Sequence, residues 1–299
     1  MPTRYRQPLL AIAGLAVIAL ACAHHLATPD TIAGDTLTAA SLAGTTESSP
    51  AAGTAWESAW PEPVISKPEA IRLARRDPWA LARLGREWYE RNVRDYTCIF
   101  LKQERIDGKL RDVEEIEVRY REQPASVYMI WRRNAGQARR VLFIDSPEFV
   151  DKQGRKLARV EPAGALIRLV VPEVLMPIHG ERARQTSRRF IDEFGLRSTF
   201  ELFDRYNGLA AERGVLDLRY AGEGEVAGRP TYVIERYLPY TGPDGIWPDA
   251  KLVMHLDQRS LLPIAVYSYA DREGKVLLGS YVTTNLVLNP GLTDAAFAF

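Results

Sequence analysis

Only two cysteines and four histidines occur in the 299 residues. Cys22 lies at the end of an apolar leader, so once it is lipidated or removed Cys98 has no intramolecular partner and no disulfide framework exists. Beyond residue 66 the only histidines are His179 and His255, with no Cys or His neighbours, which makes a poor metal site. His255 alternates with Leu256 on a strand and is read as facing solvent; His179, in MPIHGER, is read as a loop residue. Neither a G-x-S-x-G elbow nor an H-E-x-x-H pair occurs. No metal, no cofactor and no catalytic residue is therefore expected, and the chain is read as not an enzyme. A hydrolase stays open as the less favoured reading, because triads assemble in space rather than in sequence. Charge of either sign is also not in surplus. Beyond residue 66 the chain holds 37 basic and 33 acidic residues, too even a balance to imply nucleic acid as a partner.

Lys and Arg are absent from Gln7 to Ser66. Ahead of that gap stand Arg4 and Arg6, then an uncharged apolar run from Leu9 to Ala21. The run is short of the ~20 residues a membrane-spanning helix needs, and a charged start with small residues at the end describes an export signal. Two cuts are open. Ala21-Cys22-Ala23 fits cleavage before His24, whereas Ala19-Leu20-Ala21-Cys22 resembles a bacterial lipobox, cut before a cysteine that then carries acyl chains. Residues 22–66 are rich in Ala, Thr, Ser, Gly and Pro and too poor in apolar bulk to order themselves. As a coil this linker would span roughly 35–40 Å, the stand-off a lipid-anchored domain needs, which favours lipidation of Cys22. Ala23 rather than Asp follows the cysteine; by the lipoprotein sorting rules that this leader resembles, the expected address is the periplasmic face of the outer membrane, with a soluble periplasmic protein as the alternative.

Residues 67–94 read as helices that pack on a sheet. Ser66-Lys67-Pro68-Glu69 carries a cap, a first-turn proline and a capping-box glutamate, and Asp77-Pro78 restarts the helix. Trp56 and Trp60 lie just upstream, four apart, and either extend that helix or dock on the body. After Tyr96 the period changes to two. In VEEIEVRYR, Ile116, Val118 and Tyr120 face one way and the charged residues the other, the mark of an antiparallel strand. Cys98 falls with Tyr96 and Phe100 on an apolar strand face and reads as a buried small hydrophobe. SVYMIW, residues 126–131, is apolar on both faces and is expected to be covered on both. Leu196, Phe200, Phe203 and Tyr206 or Asn207 form a helical stripe after Gly195. VLDLRY, PTYVIERY, AKLVMHLD, PIAVYSYA and VLLGSYVTTNLVL then resume the strands, with turn residues between them. Residues 161–176 give a mixed signal. The fold class is therefore α+β: a large curled antiparallel sheet of nine to eleven strands, an unclosed half-barrel with N-terminal helices and an inserted helical lid.

From GRPTYVIE onward the chain runs through KLVMHLDQRSLLPIAVYSYADREGKVLLGSYVTTNLVLNPGLTDAAF. A strand ending LD, a turn, a strand beginning LP, then D-x-x-G-K and a last strand closing on LNPGLTDAAF resembles the bacterial lipoprotein-carrier (LolA/LolB-like) superfamily. YTCIFLKQER with SVYMIW resembles a branch of it of unknown function. The resemblance covers about residues 95–299, read as a LolA-like domain. It implies an unclosed barrel with a helical lid, binding acyl chains or lipoproteins in its hollow or acting as an envelope sensor. Strand parity proposes Val127, Met129, Trp131, Leu252, Met254, Tyr267 and Tyr269 as lining of that hollow. Arg132, Arg133, Arg139 and Arg140, bracketing a hairpin turn, are candidate contacts for lipid phosphates, as are Arg182, Arg184, Arg188 and Arg189. The expected function is a cell-envelope (lipo)protein that binds a hydrophobic ligand, with lipid or lipoprotein acyl chains as partners and an envelope protein as a further one. The alternative is a sensor or interaction module whose hollow is filled by its own side chains.

Overall fold

A computed structural model describes residues 62–299. The expected signal peptide over 1–21, Cys22, most of the expected linker over 22–66, Trp56 and Trp60 lie outside the described residues. Two helices come first, α1 (Lys67–Arg76) and α2 (Pro78–Asn92), broken where Pro78 denies a backbone donor. Asp77 caps α2 by accepting from the Ala80 N–H at 2.9 Å. Ser66 does not bond the backbone of α1; its hydroxyl donates to the Glu69 carboxylate instead, so the serine half of the expected capping box is missing.

The strands are β1 (Asp95–Ile106), β2 (Lys109–Leu110), β3 (Glu114–Arg121), β4 (Ser126–Arg133), β5 (Ala138–Ile144), β6 (Leu157–Pro162), β7 (Val174–Pro177), β8 (Asp217–Val226), β9 (Arg229–Tyr237), β10 (Lys251–Asp257), β11 (Pro263–Tyr269) and β12 (Leu277–Leu288). Between them lie α3 (Ala165–Val170), the one-turn α4 (Glu181–Arg184) and α5 (Leu196–Glu212). The order across the sheet is β7-β6-β5-β4-β3-β1-β12-β11-β10-β9-β8, with β2 a short addition to β1, and every pair is antiparallel. The sheet is unclosed, with β7 and β8 at its two edges. Twelve strands replace the expected nine to eleven. The additions are β2, with two residues, and β6 and β7, in and beside the stretch whose pattern was mixed.

Residues directly opposite on antiparallel strands point to the same face, so the register sorts the whole sheet. One face, here the inner face, carries α5. Gly195, just before α5, adopts φ +123°, and a Cβ there would stand 2.9 Å from the Tyr120 ring. The absence of that Cβ lets the helix begin directly on β3. Leu196 N–H donates to the Tyr96 hydroxyl at 3.3 Å. From there the 17-residue helix, about 25 Å long, runs over the sheet as far as β9, where Arg236 meets the Phe203 and Tyr206 rings. Its stripe of Leu196, Phe200, Phe203, Asn207 and Ala210 is buried. α2 packs on α5 from outside, fastened by Arg86 to Asp204 at 2.8 Å. The opposite, outer face is covered over β3–β6 by the C-terminal residues: Leu292, Phe297 and Phe299 pack on Tyr128 and Leu142.

Candidate functional site

Register decides which proposed lining residues share a surface. Val127, Met129 and Trp131 pair with Tyr120, Val118 and Ile116, and these with Tyr96, Cys98 and Phe100, all on the inner face. Lys102 pairs with Tyr281, Tyr281 with Val266, and Val266 with Met254, which brings Leu252 and Met254 to that face too. Tyr267 and Tyr269 stand opposite Val253 and Lys251 and lie on the outer face. Parity within one strand cannot see this, because the relation between β10 and β11 is set by the Asp257–Leu262 turn. There Asp257 accepts from the Arg259 and Ser260 N–H groups, and the pairing slips between His255 and Leu256. Cys98 is buried on the inner face, as read, and burial alone pushes its thiol far above the usual range.

The inner face has two unlike halves. Over β1 and β9–β12 it is sealed. Phe194 sets its ring edge-on to Phe100 at 5.0 Å. Arg188 reaches across: its N–H donates to Glu104 at 3.2 Å, and its guanidinium to the Ser268 hydroxyl at 3.1 Å and the Pro248 carbonyl at 2.9 Å. Glu104 is buried and also accepts from the Tyr281 hydroxyl at 2.7 Å. Burial first, and that carboxylate second, hold the Tyr281 phenol well above its ordinary range. Further along, Arg236 is buried with Asp249 at 3.2 Å and Asn207 at 3.4 Å. So Arg188, one of the second group of candidate arginines, is engaged inside the molecule.

Over β3–β7 the inner face is an apolar row. Val118 stands opposite Met129, Met129 opposite Val141, Val141 opposite Val160, and Val160 opposite Val174. Exposure rises along it, from 0% at Val118 and 8% at Met129, through half-buried Val141 and Val160, to 38% at Val174. Ile178 and Ile191 cover one side of this row by packing on Phe143, Val141 and Val160. Trp131 lies beside it, half-buried, its indole N–H donating to Glu114. Sequence parity found Met129 but missed Val141 in β5, and it missed Val160 and Val174 because β6 and β7 are too short to show a period.

The four hairpin arginines each meet a carboxylate: Arg132 Glu117, Arg133 Glu115 at 3.0 Å, Arg139 and Arg140 both Glu161. Burial alone would raise the Glu161 carboxyl, but Arg140 and Arg139 outweigh it and hold it below the usual carboxylate range. His255 does not face solvent. It is buried on the outer face, bonded through Nδ1 to the Thr231 hydroxyl at 3.0 Å and edge-on to Tyr267. Burial lowers its pKa to about 4. His179 is exposed, with Asp192 at 2.9 Å. Among the described residues no group of three His, Cys, Asp or Glu could hold a metal ion, and no helix is long and apolar enough to cross a membrane. A cavity of about 320 Å³ opens on the outer face where β12 bulges between Thr284 and Val287 opposite Thr97–Ile99, lined by Glu117, Arg119 and Asn285 among others.

A family model described as a protein of unknown function (DUF1571) matches residues 93–299, the whole of the sheet. The chain belongs to the DUF1571 family. Solved structures similar to this DUF1571 chain include MucB, 18% identical over 74% of this chain, with a TM-score of 0.41. The chain covers 62% of MucB, less than two thirds of its length. A LolA superfamily protein from Nitrosomonas europaea is 12% identical over 74% of this chain and 96% of its own, at 0.33. The Mycobacterium tuberculosis lipoprotein LppX is 11% identical over 76% and 99%, at 0.36. No curated protein matches the chain.

Proposed function

We propose that this DUF1571 protein is an envelope protein that holds one extended apolar chain, of the kind found in lipids and lipoproteins, along the inner-face row Met129–Val141–Val160–Val174. The observation that carries the reading is the continuous gradient of that row from the buried core to an open sheet edge. Four strands set the row's ends about 14 Å apart, which suits roughly ten methylene groups. Burying them is worth at most ~8 kcal/mol, and the cost of ordering the ligand is set against that, so micromolar affinity is the upper limit. The row carries no charged side chain, as an acyl chain requires. No catalysis is assigned: His255 is held neutral against a buried threonine and His179 pairs with a carboxylate at the surface. Export and a lipid anchor on Cys22, with the outer membrane as address, complete the proposal from the leader alone.

The sealed half favours a second reading, an interaction module whose hollow is self-filled, because α5 and Arg188 already occupy it. One experiment separates the two. Native mass spectrometry of protein purified from its host membrane, with uptake of a fluorescent fatty acid, is expected to show bound lipid and saturable binding. Val174→Asp, at an exposed position, should leave the fold intact and weaken uptake about tenfold. No co-purified lipid and no uptake by the wild type would leave the module reading standing.

A further inference from the structure

One end of the sheet combines two features that are separate in sequence. The first is α3. Leu166, Leu169 and Val170 fall at i, i+3 and i+4, on one side of the helix. They are 81%, 83% and 83% exposed, while no other large apolar residue among those described exceeds 51%. The helix is not loose. Arg168 turns back under it, donating to the Ala163 carbonyl at 2.6 Å and the Pro162 carbonyl at 3.2 Å, so the apolar side is held outward. The second feature is the turn between β4 and β5. Ala138 pairs with Pro162, and the Ala163 N–H donates to the Gln137 carbonyl at 2.9 Å, which sets that turn beside the base of α3. Arg132, Arg133 and Arg139 flank it with side chains 53%, 64% and 53% exposed. Glu161, the carboxylate at this junction, is shared by Arg139, Arg140 and Arg168, three cations on one anion.

We infer that this end of the molecule docks on an anionic lipid bilayer, with Leu166, Leu169 and Val170 entering the interface and the arginines of the β4–β5 turn at the headgroup phosphates. An apolar helix side beside a turn flanked by guanidinium groups matches the two layers of such a surface, apolar below and anionic above. A second copy of the chain fits less well, since a symmetric contact would bring one arginine-flanked turn toward another. Val174 lies four residues beyond α3, so docking would bring the open end of the apolar row to the membrane. The docking itself does not depend on that row holding a ligand.

The test is vesicle flotation of the full chain carrying Cys22→Ala, which removes the acyl site and leaves the rest of the leader identical in every sample. With phosphatidylglycerol-containing vesicles the protein is expected to float, and with pure phosphatidylcholine much less. Leu166→Asp with Leu169→Asp and Val170→Asp should lower partitioning at least about tenfold with an unchanged melting temperature; Leu169→Asp alone serves if the triple variant is unstable. Each of Arg132→Gln, Arg133→Gln and Arg139→Gln should lower binding to the anionic vesicles about fivefold. Flotation of the aspartate variants equal to the parent, or a parent that ignores anionic vesicles, overturns the inference. So does a dimer that the triple variant turns into a monomer while flotation is unchanged. Val174→Asp should impair fatty-acid uptake and leave flotation intact, which keeps failure of the docking distinct from failure of the ligand site.

Discussion

The two halves of the inner face are built on one sheet yet finished differently. Over β9–β12 the helix α5 lies on the strands, and charged groups are buried or half-buried in complementary sets: Arg236 with Asp249, Arg188 with Ser268 and the Pro248 carbonyl, Glu104 with Tyr281. Over β4–β7 no long helix lies on the strands, and the apolar row Met129–Val141–Val160–Val174 gains exposure step by step. A buried ion pair is costly to break because the surviving charge has no water to return to. An apolar row that ends in solvent costs little to modify and gains most from a partner that covers it. The sealed half thus holds the fold, and the open half leaves an apolar surface uncovered.

The sharpest way to break the sealed half is Asp249→Ala, which strands the Arg236 guanidinium. Chemical unfolding should show a loss of about 3–5 kcal/mol. A loss under about 1 kcal/mol would mean that the pair is not buried in solution.

The next effect depends on pH and belongs to the reverse side of that half. His255 titrates near 4 in the folded protein against about 6.5 unfolded. A depressed histidine is neutral in both states above the unfolded value and adds nothing there. As pH falls from about 6.5 to 4 the unfolded chain takes up the proton first, so stability declines, by about 2–3 kcal/mol at full effect. His255→Gln should flatten that part of the stability–pH curve relative to the wild type. Parallel curves would place the imidazole in water.

The smallest of the three sharpens the boundary between the halves. Arg188→Ala removes two side-chain hydrogen bonds and should cost about 1–2 kcal/mol. Amide exchange at residues 188–200 should quicken well before the β1–β12 core responds, with faster fatty-acid uptake as the cover loosens. Uniform exchange over the sheet would show that Arg188 is not a local fastening.

Much of this was legible beforehand. The break at Pro78, the alternation of β3, the stripe of α5 and the five C-terminal strands all announce themselves by period. The candidate site was legible only in part. Val127, Met129, Trp131, Leu252 and Met254 do share the inner face, but Tyr267 and Tyr269 do not, since one residue of register at the Asp257–Leu262 turn moves a whole strand's side chains across the sheet. His255 looked exposed by alternation with Leu256, yet both are buried, because alternation reports two faces and not what covers each.

The sequence by itself determined the family of structure: a long antiparallel sheet with helices before and within it, poor in chemistry-bearing side chains and led by an apolar segment. Those properties rest on local preferences, namely hydrophobic period, turn residues and the backbone limits of proline and glycine, and each is written in a few neighbouring positions. Only the tertiary structure decided which apolar residues form the row from Val118 to Val174, that Arg188 and Arg236 are spent inside the molecule, and that α3 stands uncovered beside the arginine turn. Each of those depends on partners dozens of residues away, brought together by strand register and by the path of α5, and a one-dimensional pattern carries no information about either.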